Sequence, residues 1–295
     1  MKLIHDEPLD SPRSLAAPRA SSASRASRAS RAFVPTMGAL HDGHRALMRE
    51  ARSVVGPAGE VVVSIFVNPT QFGAGEDFDS YPRDLEGDLR VCENEGVDIV
   101  YAPSARGVYG DAHDRGGRVT VEPGPLGQVW EGAHRPGHFA GVLTVVNILL
   151  NQVRPSSAFF GEKDYQQLEL VRRMCLDLSI DVQIVGVPTV RDHDGLALSS
   201  RNVNLDPDQR RAAAAVPRAL DAAQRAAVDG SAAALEAVDM VFAEAGLTPD
   251  YRALCAPDLD RAPERGSARL LVAVPVGRTR LIDNCPVELG GAHVR

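Results

Sequence analysis

Pro35-Thr36-Met37-Gly38-Ala39-Leu40-His41-Asp42-Gly43-His44 decides how this chain is read. A short apolar run, Ala32-Phe33-Val34, leads into it, and an amphipathic stretch from Gly43 to Val55 follows, so the segment predicts a strand-to-helix turn. A helix beginning at His41 or Asp42 presents unpaired N–H groups and the positive end of its dipole. The paired imidazoles add donors at the same place, an arrangement suited to an oxyanion such as phosphate. Gly38 and Gly43 let backbone approach a ligand closely. Taken alone, the HxGH tetrapeptide fits equally a glycine turn capped by Asp42 with two surface histidines. The remainder of the chain has to decide.

The 295 residues are 44% hydrophobic and 24% charged, with a formal net charge of −7 and a pI near 5.6. That length accommodates two domains of roughly 100 to 200 residues each. An acidic balance is wrong for a surface that binds polyanions, so no nucleic-acid partner is expected. Cys92, Cys175, Cys255 and Cys285 lie far apart, with no CxxC pair and no histidine at ligand spacing. They predict reduced, mostly buried thiols in a reducing compartment and no zinc site. The longest apolar run, Val142 to Leu150, is interrupted by Thr144 and Asn147 and is too short to cross a bilayer. A soluble cytoplasmic protein is expected.

Residues 11–32 contain the repeat Ser21-Ser22-Ala23-Ser24-Arg25-Ala26-Ser27-Arg28-Ala29-Ser30-Arg31, and residues 1–32 are expected to form a disordered tail. Asp6, Glu7 and Asp10 argue against a transit peptide. Strands and helices then alternate: helix Gly43–Val55, strand Val61–Val67, helix Arg83–Glu95 and strand Ile99–Ala102. Helix Phe139–Gln152, strand Ala158–Phe160, helix Tyr165–Leu178 and strand Val182–Val187 follow. Strands apolar throughout imply a sheet covered on both faces, hence an α/β fold with a doubly wound parallel sheet over residues 33–189. Beyond it, helices at Asp206–Ala227 and Ser231–Ala245 and strands at Tyr251–Cys255, Leu270–Val274 and Thr279–Asn284 predict a smaller α+β domain over residues 190–295.

Four more segments carry side chains suited to chemistry. Val67-Asn68-Pro69-Thr70-Gln71-Phe72 follows a strand and offers two amides, although such residues also simply make turns. Phe160-Gly161-Glu162-Lys163-Asp164-Tyr165-Gln166-Gln167 places a glycine and a lysine at a strand-to-helix junction. Lys163 there is a point charge for phosphate, or a solvated residue beside an Asp164 cap. Asp194-Gly195-Leu196-Ala197-Leu198-Ser199-Ser200-Arg201-Asn202 brings two hydroxyls and a guanidinium into one loop. In Glu131-Gly132-Ala133-His134-Arg135-Pro136-Gly137-His138-Phe139 the histidines are as readily structural as functional.

In this order PTMGALHDGH, FVNPTQF, FFGEKDYQQ and LSSRN resemble the pantoate–β-alanine ligase family, over about Phe33 to Leu289. The resemblance implies a Rossmann-like domain of the HxGH nucleotidyltransferase superfamily, a C-terminal lid domain and a homodimer. LSSRN stands where the wider superfamily has its flexible KMSKS loop. The implied reaction has two steps. Pantoate carboxylate attacks the α-phosphorus of ATP and expels pyrophosphate; the β-alanine amine then attacks the acyl adenylate, giving pantothenate and AMP. The nucleophile is already anionic, so such a site needs positive charge and oriented donors more than a base.

By resemblance, His44 is the proton donor or charge stabiliser, with His41, Lys163 and Arg201 as the other catalytic groups. ATP is contacted by Met37, Gly38, Ala39, Leu40, His41, Asp42, Gly43 and His44, by Gly161, Glu162, Lys163 and Asp164, by Val190, and by Leu198, Ser199, Ser200 and Arg201. Gln71 and Gln167 bind pantoate, and Gln71 also helps place β-alanine. Mg2+ keeps most of its waters and is held mainly by phosphate, with Asp88 as a candidate ligand. The chain departs from the family in its first residues, where the Ser/Arg/Ala repeat leaves Phe33 and Val34 for the central strand. Either Leu3, Ile4 and Leu15 supply a degraded version of the missing elements, or the chain tolerates a truncated first strand. Leu198 replaces a methionine common in the loop, a volume-preserving exchange. Arg45 and Asn147 also depart, and the sequence accounts for neither. A weakened nucleotide-binding paralogue and another HxGH adenylyltransferase are the alternatives; an aminoacyl-tRNA synthetase is disfavoured by the acidic charge.

Overall fold

Runs of β-branched and aliphatic residues build the first sheet from strands β1 (Lys2–Ile4), β2 (Arg31–Thr36), β3 (Glu60–Ile65), β4 (Ile99–Tyr101), β5 (Ser157–Gly161) and β6 (Gln183–Val187). A computed structural model describes residues 1–7, 9, 30–73, 75–76, 78–110 and 119–290. It divides into two units, Met1–Gly161 with Leu170–Val187, and Glu162–Glu169 with Pro188–Arg295. The six strands of the first unit run in the order β1-β4-β3-β2-β5-β6, and every pairing is parallel. Its helices are α1 (Asp42–Val55), α2 (Leu85–Asn94), α3 (Ala105–Tyr109), α4 (Glu131–His134), α5 (His138–Val153) and most of α6 (Tyr165–Asp177).

Chain order reverses between β2 and β5, the switch point at which open α/β sheets bind ligands. The two strands pair only at Ala32–Ser157 and Phe33–Ala158, whereas β2 pairs with β3 along all six of its residues. Ala32, Val34, Val61, Val63 and Phe159 form a core with Leu47, Met48 and Ala51, the apolar stripe of α1.

The N-terminal expectation is corrected in two places. Lys2–Ile4 is an edge strand on β4, and Asp6 accepts hydrogen bonds from Ser104 N and Oγ, both at 2.8 Å, so these residues are not tail. The central strand is also longer than Phe33–Val34, because Arg31 is buried within it. Its charge is matched by Glu60 at 2.6 Å, and it donates to Val153 O at 2.6 Å. The greater part of the expected tail, residues 10–29 with Leu15, lies outside the described residues.

The second unit contains α7 (Pro207–Ala213), α8 (Ala215–Ala226), α9 (Ser231–Glu244) and an antiparallel sheet, β7 (Tyr251–Cys255), β8 (Gly266–Val276) and β9 (Thr279–Leu289), in the order β7-β8-β9. The helix expected over Asp206–Ala227 breaks at Ala214. Pro217 has no N–H to bond back to Ala213 O, so a new helix starts instead. Leu270, Val272 and Val274 on one face of β8 join Leu281, Cys285 and Val287 of β9 against Val216, Leu220, Val238 and Phe242. All four cysteines are unpaired and buried, and burial pushes the thiols of Cys92, Cys255 and Cys285 up to about 12. Among the described residues no helix is long and apolar enough to cross a membrane.

α5 is apolar almost all round and packs a glycine against the turn after β3: a Cβ on Gly141 would lie 2.2 Å from Thr70 O and 2.9 Å from Gln71 Cα. Gly141→Ala is therefore expected to cost about 1–3 kcal/mol of stability. The thermal midpoint should fall, and amide exchange should accelerate at Thr70 to Phe72; an unchanged midpoint would contradict this packing.

Candidate active site

The turn that follows β2 is held by side chains that accept from its backbone. Thr36 Oγ1 accepts from Gly38 N at 3.2 Å, while the two carboxylate oxygens of Asp88 take Ala39 N at 3.0 Å and Leu40 N at 2.8 Å. Gly38 has φ +86°, and a Cβ there would sit 2.7 Å from Asp88 Oδ2. Asp88 is buried, and desolvation raises its carboxyl above the ordinary value although the two N–H groups oppose the shift. Each Asp88 oxygen accepts one backbone N–H, so the carboxylate serves to hold this turn.

His41, rather than Asp42, caps α1, and the cap is reciprocal. His41 Nδ1 accepts from Gly43 N at 3.1 Å, and His44 Nδ1 accepts from His41 N at 3.2 Å. The rings lie 4.1 Å apart. An imidazole nitrogen that accepts carries no proton, so in the neutral rings both protons sit on Nε2. The cap thus produces two oriented N–H donors at a helix N-terminus. Gly43 is required because a Cβ there would lie 2.8 Å from the His41 ring. Arg45, one turn into the helix, pairs with Glu95 at 2.9 Å and Asp42 at 3.3 Å, which accounts for its charge. Asn147 accepts a hydrogen bond from Asn151.

The turn Pro69–Gln71 is organised by Asn68, which is 1% exposed. Asn68 Oδ1 accepts from Tyr109 Oη at 2.5 Å and from Thr70 N and Oγ1, while Nδ2 donates to Gly141 O at 3.2 Å and to Gln71 Oε1 at 3.1 Å. The Gln71 amide is thereby oriented, with Nε2 directed at Met37 Sδ, 3.1 Å away. Gln71 and Met37, distant in sequence, are brought together. His138 Nδ1 donates to Gln71 O at 2.8 Å, and Arg135 bonds both His138 Nε2 at 3.1 Å and Glu76 at 2.5 Å. The hydrogen bond from Arg135 holds the Glu76 carboxyl below its usual range. His138 is therefore a support for the turn, a role the sequence left open.

Gly161 ends β5 and completes the predicted residues of the first unit; those from Glu162 onward lie in the second. Glu162–Asp164 is a single 3-10 turn with Lys163 half-buried and its Nζ 3.6 Å from Asp164 Oδ1. Gln167 is half-buried in the first turn of α6. Val190 begins a tight hairpin: Leu198 N donates to Val190 O, and Asp192 N donates to Leu196 O. Buried Leu196 and Ala197 anchor it, and Ser199 caps the 3-10 turn Ser200–Asn204 by accepting from Arg201 N at 3.3 Å. Arg210 clamps the hairpin, donating to Asp194 at 2.6 and 2.8 Å and to Asp192 at 2.7 Å. It holds the Asp194 carboxyl low; Asp192 is lowered first by His193 and then by Arg210. Asp192, His193 and Asp194 lie close enough to hold a cation, but the Arg210 guanidinium already bonds both carboxylates.

The sequence matches the profile of pantoate–β-alanine ligases over residues 12–286. The chain belongs to the pantoate–β-alanine ligase family. It is 56% identical over 260 residues to pantothenate synthetase of Mycolicibacterium smegmatis, covering 88% of this chain and 81% of that one. Identity to the Nocardioides enzyme of the same name is 57% over 265 residues, 87% of this chain and 78% of that one. The fold superimposes on pantothenate synthetase from Thermus thermophilus with TM-score 0.81 and 48% identity, covering 87% and 92% of the two chains. It also matches the Francisella tularensis pantoate–β-alanine ligase, solved with beta-gamma ATP and β-alanine, at TM-score 0.72 and 35% identity over 87% and 89%. The fold is accordingly the HxGH nucleotidyltransferase-like fold with a smaller antiparallel domain, and the chain is an ATP-dependent ligase that joins pantoate to β-alanine to form pantothenate.

Asn68, which the sequence marked only as a turn amide, is the support of the turn that carries Gln71. Asn68→Ala removes a buried amide with partners on both sides and takes one hydrogen bond each from Tyr109 Oη, Gly141 O and Gln71 Oε1. A loss of about 1–3 kcal/mol in stability is expected, together with a KM for pantoate raised several-fold. A KM equal to that of the parent enzyme would contradict the orienting role.

Proposed function

We propose that the ligation proceeds through pantoyl adenylate, with ATP cleaved to AMP and pyrophosphate, in the cytoplasm and by a homodimer. Pantoate is held by the amides of Gln71 and Gln167, which match its hydroxyl groups, and Gln71 also helps place β-alanine. The pantoate carboxylate is anionic, so the barrier lies in bringing it to a triphosphate of like sign and in stabilising the leaving pyrophosphate. His41 and His44 answer the second need as neutral donors through Nε2. Lys163 and Arg201 answer the first as cations, with Ser199 and Ser200 as hydroxyl donors. Met37 through His44, Gly161, Glu162, Asp164, Val190 and Leu198 line the nucleotide in this reading. Mg2+ accompanies ATP on its phosphates; Asp88 is engaged by backbone, so no step here depends on a protein-bound metal.

The reciprocal His41–His44 cap carries this reading, because it fixes where both ring protons sit. AMP formation measured with pantoate and β-alanine omitted in turn should require pantoate for pyrophosphate release and both substrates for AMP. His44→Ala is expected to slow the pantoate-dependent step roughly 10²- to 10³-fold. AMP release without pantoate, or an unaffected His44 variant, would refute the assignment.

Lys163 acts on the phosphates rather than on the acid. Lys163→Ala should slow adenylate formation by far more than it weakens pantoate binding, as single-turnover kinetics and direct pantoate titration can compare. Equal losses in both would contradict the role.

A further inference from the structure

Asp283 and Asn284 are neighbours in β9, only 3% and 4% exposed, a costly place for polar side chains unless they are fully engaged. Successive residues of a strand point to opposite faces, and these two hold different segments. Asn284 Nδ2 donates to the carbonyls of Glu162 at 2.8 Å and Lys163 at 2.9 Å. Its Oδ1 accepts from Arg269 Nε at 2.8 Å and Nη2 at 2.5 Å. Arg269, itself buried, also donates to Glu162 Oε2 at 3.0 Å and lies 3.9 Å from the centre of the Tyr165 ring. On the other face Asp283 accepts from Arg191 Nη1 at 2.6 Å and Nη2 at 3.1 Å, a bidentate pair. Arg191 bridges to Ala197, the residue before Leu198-Ser199-Ser200-Arg201.

We propose that Asn284 and Asp283 are positioning residues for adenylate formation. Asn284 sets the backbone from which Lys163 extends, and Asp283 sets the hairpin that carries Arg201, so one dipeptide of β9 fixes two cationic arms within a single unit. This rests on the phosphate roles given above to Lys163 and Arg201. A carboxamide is needed at residue 284 because it donates to two carbonyls while accepting from a guanidinium. An isosteric carboxylate keeps the acceptor but turns an oxygen toward both carbonyls.

The test is a double-mutant cycle in the full chain with Asn284→Asp and Lys163→Ala. Pantoate-dependent ATP–pyrophosphate exchange reports the first step, and aminolysis of added pantoyl adenylate reports the second. Asn284→Asp is expected to slow exchange roughly 10- to 100-fold, to leave aminolysis near the parent rate, and to add nothing further in the Lys163→Ala background. Parent-level exchange, or a loss that multiplies in full with that of Lys163→Ala, overturns the inference alone. If Lys163→Ala leaves exchange unchanged, the phosphate role of Lys163 fails and the inference fails with it. Arg191→Lys, at the rim of the same network, serves if Asn284→Asp does not fold. It should raise KM for ATP several-fold in the parent and not in an Arg201→Ala background, and a full additive effect there counts against the proposal.

Discussion

The hydrogen bonds that Asp88, His41 and His44 accept from backbone between β2 and α1 are the constraint on which the HxGH turn of the first unit depends. The N–H groups of Ala39, Leu40, His41 and Gly43 have no partner in strand or helix, and all four are met by an acceptor without a proton. Asp88 has to be ionised to accept two such bonds, yet its burial favours the neutral acid. A carboxyl raised in the folded state binds its proton more readily there than in the unfolded chain. Its contribution to stability therefore declines as pH rises through its titration. The fold tolerates that cost because a protonated Asp88 would turn one O–H toward N–H groups.

The imidazoles of His41 and His44 and the amide of Gln71, oriented by hydrogen bonds, belong to the first unit, while Lys163, Gln167 and Arg201 belong to the second. In each unit a buried asparagine does the orienting. Asn68 turns the Gln71 amide from beneath, and Asn284 grips the carbonyls beside Lys163. Asparagine suits both places because a single planar group satisfies donors and acceptors at once, which leaves no buried polar atom to be compensated elsewhere.

Much of this was legible in the sequence, for reasons that differ by element. The parallel sheet followed from strands apolar throughout, and the helix start at HxGH from its place after a short strand, but the cap falls on His41 and not on Asp42. β1 escaped notice because an edge strand of three residues buries only Ile4. Arg31 was read with the serine/arginine repeat, since nothing local reveals that Glu60 lies beside it in register. The Asn284 contacts join residues more than a hundred positions apart. They also explain why Glu162–Glu169 groups with the C-terminal unit rather than with the β5 strand that precedes it.

Anchoring of the chain on both sides of the serine/arginine repeat changes what that repeat is. β1 and β2 are separated in the sheet by β4 and β3, a span of roughly 14 Å at ordinary strand spacing. Residues between them therefore form an internal connection whose two ends are pinned. β1 has its own hold on this unit, through its ladder with β4 and the hydrogen bonds from Ser104 to Asp6, besides the covalent path to β2.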